Sequence, residues 1–170
     1  MSIAQSLLPE FDHEMATTRK MLAAVPEGKN DWRPHPRSMT LGRLAGHVAE
    51  LPGWGAVTME GTELDFAPAD GPPIKPAVFT TREATLKSFD ENVAKARAAI
   101  AKAPDADFMV PWTLKAGAST IFTMPRVAVV KSFMLNHMIH HRAQLGVYLR
   151  LNDIAIPGCY GPSADEPRGM

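Results

Sequence analysis

Two histidines stand four residues apart within the run NHMIHHRAQL, at His137 and His141. On an α-helix, residues at this spacing lie one above the other, with roughly 5–6 Å between their Cβ atoms. Two imidazoles placed in this way can chelate one divalent metal ion. At about 100° per residue, His141 falls on the apolar stripe of the helix, whereas His140 lies well outside it. The spacing alone leaves a second interpretation open, in which both histidines are hydrogen bonded in the protein core.

A third histidine favours the metal interpretation. His47 lies in the run LGRLAGHVAEL, at the edge of an apolar stripe formed by Leu44, Val48 and Leu51. In helical bundles, ligand and metal sites form in the core between facing helices. Three imidazoles with a remaining open position are typical of a catalytic metal site. Neutral imidazole suits zinc, nickel, copper or ferrous iron, so the residue types do not select one metal.

Four further residues lie close enough in sequence to assist such a site. Glu50 is one turn from His47 and could orient that ligand or act as a base. Gln144 and Tyr148 lie on the same helix face as His137 and could hydrogen bond a substrate. His140 flanks the site. No catalytic general base can be named from the sequence.

Arg142 and Cys159 are expected to lie outside the site. Arg142 falls about 140° from His137 on the helix, which predicts a surface salt bridge. Cys159 is the single cysteine and lies in a turn-rich segment with no neighbouring base in sequence, so we expect a bystander thiol. The tryptophans could pack in the core or line a pocket. They are Trp32, Trp54 and Trp112.

Apolar periodicity predicts the helices that must position these residues. The i, i+3, i+4 pattern indicates helices over residues 3–25, from residue 38 or 40 to about 52, over 81–103 and over 125–151. Pro52 and Gly53 are expected to kink or stop the second helix, and the interpretation leaves open that helix resumes from Trp54 to Met59. Residues 61–80 predict an irregular crossover, and residues 106–124 a loop or brief hairpin. The pattern predicts an all-α four-helix bundle with long crossovers; the alternative is an α+β fold with strands in 106–124.

Composition excludes several classes of function. The 170 residues fit one domain, spanning 1–170, and 18 basic residues balance 18 acidic ones. A nucleic-acid-binding protein would show a basic excess, so nucleic acid is not an expected partner. No apolar run reaches the roughly 20 residues that cross a bilayer, and the first residues do not resemble a signal peptide. We therefore expect a cytoplasmic protein without a membrane partner.

Two blocks of the sequence resemble the DinB-like (damage-inducible) family of four-helix-bundle metalloproteins. They are DWRPHPRSMTLGRLAGHVAEL and LNHMIHHRAQLGVYLRLN, the latter followed by YGPSADE. The resemblance runs from Phe11 to Glu166. It implies a metal held by one histidine of the second helix and two of the fourth, positions that match His47, His137 and His141. Relatives of this family include thiol-dependent S-transferases and maleylpyruvate isomerase, and the family name does not imply DNA binding.

These observations together predict a divalent-metal-binding protein that acts on a small molecule. Zinc and nickel are the first candidates for the metal, and the resemblance implies a low-molecular-weight thiol as a second cofactor. The expected reaction is metal-dependent hydrolysis or thiol S-transfer. Two alternatives stay open: a non-catalytic metal- or ligand-binding stress-response module, and a structural bundle with incidental histidines. The resemblance also predicts a homodimer.

Overall fold

Four long helical segments form the body of the protein. The computed structural model describes residues 1–72 and 74–166, so the last residues of the predicted 1–170 domain lie outside it. The first three helices are α1 (Ile3–Ala23), α2 (Leu41–Glu60) and α3 (Arg82–Lys102), and the fourth segment spans residues 126–150. Going round the bundle, α1 packs on α3, α3 on α2, α2 on the fourth segment, and that segment on α1.

Local sequence explains where the first three helices begin. Ser2 forms a capping box with Gln5, and Thr40 and Thr81 each accept a hydrogen bond from the backbone N–H three residues on. The starts predicted near residue 3 and residue 81 are confirmed, and of the two predicted starts of the second helix the structure has the one at Thr40. The second helix does not stop at Pro52, because it continues to Glu60.

The fourth segment is not a uniform α-helix. It consists of a short α5 (Arg126–Ala128), a π-helical segment (Val129–Asn136) and α6 (His137–Arg150). A π-helix closes its hydrogen bonds five residues apart instead of four and is common at functional sites. Hydrophobic periodicity does not distinguish the two, so the sequence predicts one regular helix over 125–151.

A small sheet lies on one side of the bundle, so the all-α prediction is wrong in this respect. β2 (Pro111–Ala116) and β3 (Ser119–Pro125) form an antiparallel hairpin, and β1 (Glu63–Asp65) pairs with β2 in parallel. Gly117 turns the hairpin with φ of +59°, a conformation that glycine adopts without strain. A four-residue α4 (Asp105–Phe108) precedes it. The alternative with strands in 106–124 is correct about the hairpin but not about the body, which is a helical bundle.

Two apolar clusters hold these parts together. The larger lies between the four helical segments and includes Phe11, Leu51 and Phe89, each 1% exposed or less. The smaller contains Trp112, Leu114 and Val129 and joins the sheet to the π-helical segment. This second cluster fixes the sheet beside the part of the chain that leads into His137.

The crossover from α2 to α3 lies tightly against α2. A Cβ added to Gly46 would lie 2.5 Å from the carbonyl oxygen of Ala77, so only glycine permits this approach. The N–H of Phe79 donates to the carbonyl of Gly42 at 2.9 Å, and the ring of Phe79 is buried. The crossover therefore forms a fixed wall beside the part of α2 that carries His47. Within residues 1–72 and 74–166, no helix is long and apolar enough to cross a membrane.

Candidate metal centre

Three histidines meet where α2 packs against α6. His47 comes from α2, and His137 and His141 come from the first two turns of α6. The Nε2 atom of His137 lies 3.4 Å from Nε2 of His47 and 2.9 Å from Nε2 of His141. One ring nitrogen from each histidine lies within 4.8 Å of the other two. The structure thus brings together the three histidines that the helix spacing selects, in a position to hold one metal ion.

The opposite nitrogen of two of these rings bonds to a side chain three residues further along the helix. Nδ1 of His47 donates to Oε1 of Glu50 at 2.6 Å. Nδ1 of His141 donates to Oε1 of Gln144 at 2.7 Å. Both oxygens are acceptors, so they require the proton to be on Nδ1 and leave Nε2 with a free lone pair.

The backbone orients the third ring. Nδ1 of His137 lies 3.3 Å from the carbonyl oxygen of Phe133, which belongs to the π-helical segment. This carbonyl can only accept, so a hydrogen bond between the two groups requires the proton of His137 to be on Nδ1. The three Nε2 atoms therefore face one another as acceptors.

Burial keeps two of the rings neutral. It is the largest cause that lowers the pKa of His137, and the neighbouring His47 lowers it further. Burial likewise lowers the pKa of His141 to about 4, against a partial opposing effect of the bond to Gln144. Both imidazoles are therefore available as neutral ligands at pH 7.

Glu50 is held on both oxygens. Oε1, which accepts from His47, also lies 3.4 Å from Nη1 and Nη2 of Arg43, and Oε2 accepts from the backbone N–H of Ala77 at 2.8 Å. Burial acts to raise the pKa of Glu50, but the bonds from His47 and Ala77 and the charge of Arg43 outweigh it and lower the pKa. Glu50 is therefore an ionised carboxylate that orients His47.

The arrangement fits a bound metal ion. Three acceptor nitrogens facing one another are repulsive without a cation between them. Two nitrogens that each lie about 2.0–2.1 Å from one zinc ion are roughly 2.9–3.4 Å apart when the angle between them is about 90–110°. Two of the three Nε2 separations, 2.9 and 3.4 Å, agree with that range, and the three ligand nitrogens all lie within 4.8 Å of one another. Ring nitrogens whose other N–H binds a carboxylate, carbonyl or amide are typical of metal-ligating histidines.

An aromatic pair covers one side of the histidines. Trp54 stacks on Phe133 with ring centroids 4.7 Å apart. The Trp54 ring lies 5.9 Å from His47 and 5.8 Å from His137, centroid to centroid. Both aromatic rings also line a cavity of about 390 Å³ that reaches His47. Of the three tryptophans, Trp54 thus lines a pocket next to the site.

The other residues suggested by the sequence lie at different distances from the centre. Gln144 contacts His141 through Oε1, and its amide nitrogen lies 3.1 Å from Nε2 of the exposed His140. His140 therefore contacts the site through Gln144 and through the His141 ring, whose centroid lies 4.9 Å from its own. Tyr148 is seven residues beyond His141, about 10 Å along the helix, and its hydroxyl donates to the carbonyl of Met39.

The remaining tryptophans and the cysteine belong to other parts of the protein. Trp112 is 1% exposed and lies in the cluster under the sheet. Trp32 packs edge-on against Tyr148. Cys159 lines a separate cavity between α6 and the C-terminal segment, which contains none of the three histidines.

Arg142 does not form a surface salt bridge, so that prediction is wrong. Its side chain is 2% exposed, and Nη1 lies 2.6 Å from Oε2 of Glu14, which is itself buried. Nη1 also donates to Thr18, and Nη2 donates to the hydroxyl of Tyr160 at 2.9 Å. The angle of about 140° between Arg142 and His137 on the helix correctly predicts that Arg142 points away from the histidines. That side of α6 faces α1 instead of solvent, because the fourth segment packs against two helices.

The sequence interpretation missed two residues that support the centre. Arg43 precedes His47 by four residues, and Phe133 precedes His137 by four. Both spacings place them one turn from a ligand on the same helix face, which is the signal that could have identified them. Glu14 was also missed, although it lies three residues after Phe11 on the apolar stripe of α1.

Comparison with known proteins gives one family. A match described as DinB superfamily covers residues 10–145. Among curated proteins, an uncharacterised protein of Bacillus subtilis, YrdA, is 26% identical over 160 residues, which cover 94% of this chain and 89% of YrdA.

Two solved structures have a similar fold. A DinB-like protein from Bacillus cereus has a TM-score of 0.64 and 21% identity, covering 92% of this chain and 97% of its own. The DinB-like protein YjoA from Bacillus subtilis has a TM-score of 0.65 and 14% identity, and the match covers 90% of this chain and 96% of YjoA.

Proposed function

This chain belongs to the DinB superfamily, and we propose that it binds one divalent metal ion through His47, His137 and His141. In this proposal the protein is a metal-dependent enzyme acting on a small molecule, as a hydrolase or as an S-transferase that uses a low-molecular-weight thiol. The observation that carries the proposal is the convergence of three Nε2 atoms while all three Nδ1 atoms are bonded to protein acceptors. Zinc and nickel suit three neutral imidazoles.

The bound ion would act as a Lewis acid, or lower the pKa of a coordinated water or thiol towards neutrality. The protein's own side chains and backbone orient the three histidine rings. Glu50, Gln144 and the carbonyl of Phe133 fix the three rings, and burial keeps His137 and His141 neutral. Three protein ligands leave further coordination positions for a substrate group.

Glu50 orients His47 and does not serve as a general base in this proposal. Both of its oxygens are already bonded, and its lowered pKa makes it a weak base. It is also the one carboxylate among the described residues that line the adjoining cavity. A proton acceptor for the reaction would therefore come from the substrate or from solvent.

Metal binding is the first test. Protein stripped by a chelator would be titrated with Zn²⁺ and Ni²⁺, and we expect one ion per chain and a higher melting temperature on loading. H141A should abolish binding, whereas H35A, which replaces an exposed loop histidine, should leave it intact. Equal binding by the wild type and a variant lacking all three histidines would contradict the proposal.

Turnover is the second test. The loaded protein would be assayed against ester, amide and thiol-conjugate libraries, with the three-histidine variant as the control. Hydrolysis or thiol transfer by the wild type alone would support an enzyme. Tight metal and ligand binding without any rate enhancement would instead favour the stress-response binding module.

A further inference from the structure

We propose that the cavity beside the metal centre binds a small, mainly apolar molecule that carries one anionic head group. The inference rests on the proposed function, because the head group is placed at the end of the cavity where His47 lies. It adds the class of ligand, which neither the histidines nor the family membership specifies.

Four separate parts of the fold build this cavity. α2, the sheet and the crossover after β1 each contribute a wall, and the π-helical segment contributes Phe133. Its volume of about 390 Å³ is at the small end of the range found for ligand pockets, roughly 300–1,000 Å³. The lining residues are Arg43, His47, Glu50, Trp54, Leu64, Phe66, Ile74, Pro76, Leu114, Ile121 and Phe133.

The polar groups of the cavity are confined to one end. Arg43, His47 and Glu50 occupy a single stretch of α2, whereas the eight other lining residues are aliphatic, aromatic or proline. A sugar, a nucleotide or a peptide would leave many polar groups unpaired against such walls, which is unfavourable. The lining therefore selects a molecule with one polar end and an apolar body.

Three apolar residues at the cavity are exposed in the free protein. Phe66 is 40% exposed, Ile74 52% and Ile121 50%; the first two come from the crossover after β1 and the third from β3. Single exposed apolar residues are common, but three that face one cavity form a contiguous apolar surface of the kind that marks a binding site. An apolar ligand body would cover all three.

The charges at the polar end favour an anion. Arg43 and Glu50 are paired, so together they contribute no net charge there. Arg43 has five N–H donors, of which the contacts to Glu50 and to the carbonyl of Ala77 use two nitrogens. Its remaining donors can bind an anionic oxygen. A divalent cation held by the histidines would make this end positive overall.

A series of carboxylates tests the apolar part of the proposal. Formate, acetate, phenylacetate and 4-phenylbutyrate would be titrated into Zn²⁺-loaded protein by isothermal titration calorimetry. Affinity is expected to rise along the series, and each of the two methylenes that separate 4-phenylbutyrate from phenylacetate should increase it by up to about fourfold, since burying one stabilises by about 0.8 kcal/mol. Equal affinity for acetate and 4-phenylbutyrate would overturn the proposal.

Variants locate the binding. I74S and I121S remove apolar surface at the cavity. Each should lower the affinity for 4-phenylbutyrate at least threefold and leave the affinity for acetate unchanged. V147S is the matched control, because Val147 is 59% exposed but does not line this cavity. An equal loss in V147S and in the two cavity variants would overturn the assignment to this cavity.

The head group is tested with a neutral analogue. We expect 4-phenylbutyrate to bind loaded protein at least tenfold more tightly than 4-phenyl-1-butanol, and equal binding would overturn the anionic preference. Failure of the proposed function gives a different result: the protein would then bind no metal, while I74S and I121S would still weaken the binding of both 4-phenylbutyrate and 4-phenyl-1-butanol. If the protein binds one metal ion but its affinity for the carboxylates does not depend on the length of their apolar part, only the ligand inference fails.

Discussion

Each histidine of the centre depends on one hydrogen-bond acceptor within four residues of it. For His47 that acceptor is Glu50, whose carboxylate increases the basicity of the ring as well as orienting it. Glu50 is in turn held by Arg43 and by the N–H of Ala77. The metal affinity should therefore be sensitive to a residue that does not itself bind the metal.

The variant E50Q tests this dependence. Removing the negative charge weakens the polarisation of His47, and loss of such partners typically lowers metal affinity about 10–100-fold. Competition against a chromophoric chelator measures the change. E60Q is the matched control, because Glu60 is exposed on the same helix and pairs with the exposed Lys102 at 3.7 Å, away from the histidines. An unchanged affinity in E50Q would mean that the His47 ring needs no orienting group.

The buried pair of Glu14 and Arg142 makes a second prediction about single residues. R142M should destabilise the protein by about 3–5 kcal/mol, because it leaves a buried carboxylate without its cation. The double variant E14L/R142M should lie closer to the wild type than R142M alone, since no unpaired charge remains. Urea unfolding measures both. Additive losses in the double variant would contradict this account of the pair.

Some elements of the fold could be predicted from sequence and others could not. The starts of α2 and α3 follow from Thr40 and Thr81, because capping chemistry is local. The π-helical segment at Val129–Asn136 was not predicted, since its apolar spacing also suits an α-helix. β1 was also missed, because three residues carry little pattern and its pairing with β2 spans about fifty residues of chain.

The candidate site also contains residues whose place could be predicted from sequence and residues whose place could not. The histidines were identified because helix periodicity places His137 and His141 on one face and His47 at the edge of another. The burial of Arg142 was not predicted, because a helical wheel gives an angle but not the number of neighbouring helices. The contact of Glu50 with Ala77 depends on how the crossover folds back, which its irregular sequence does not encode in a periodic pattern.

The contact between α2 and the crossover gives a prediction about elements. Alanine normally stabilises an exposed helix by about 0.5–1 kcal/mol relative to glycine. G46A should instead destabilise the protein, because its Cβ would lie 2.5 Å from the carbonyl oxygen of Ala77, and metal affinity should fall as Glu50 loses the Ala77 N–H.

G146A is the control for this substitution. A Cβ at Gly146 in α6 meets only the flexible end of Met21, at 3.6 Å. We therefore expect G146A to be neutral or slightly stabilising in thermal unfolding and to bind metal normally. Similar behaviour of the two variants would show that the crossover does not need its close approach to α2.

On the scale of the whole molecule, two ionised groups hold the C-terminal segment in its fold, and one of them, Asp165, also joins it to the bundle. Asp165 pairs with Arg150 and accepts from the N–H of Ile156. Glu166 accepts from the N–H groups of Gly158 and Ser163. The bond from Arg150 is the main cause of a lowered pKa for Asp165, and the bond from Gly158 is the main cause for Glu166.

Acid should therefore break the bonds that Asp165 and Glu166 accept. A carboxylate with a lowered pKa in the folded state contributes stability above its unfolded pKa, and that contribution is lost as the pH falls through the lowered value. We expect amide protection factors at Ile156 and Gly158 to fall as the pH drops below about 4, while amides in the bundle core stay protected. In D165N the amide of Ile156 should already have lost its protection at pH 7. Protection independent of pH would refute this attachment.

The acceptors for the three ring protons are all sequence neighbours, at positions i+3, i−4 and i+3 from their histidines. Two short helical peptides, residues 43–50 and 133–144, thus contain every ring and every group that sets its tautomer. Grafted onto an unrelated pair of designed helices at the same separation, these peptides should reconstitute the ligand set. The centre is in this sense a transferable module, and the remainder of the chain determines what reaches it.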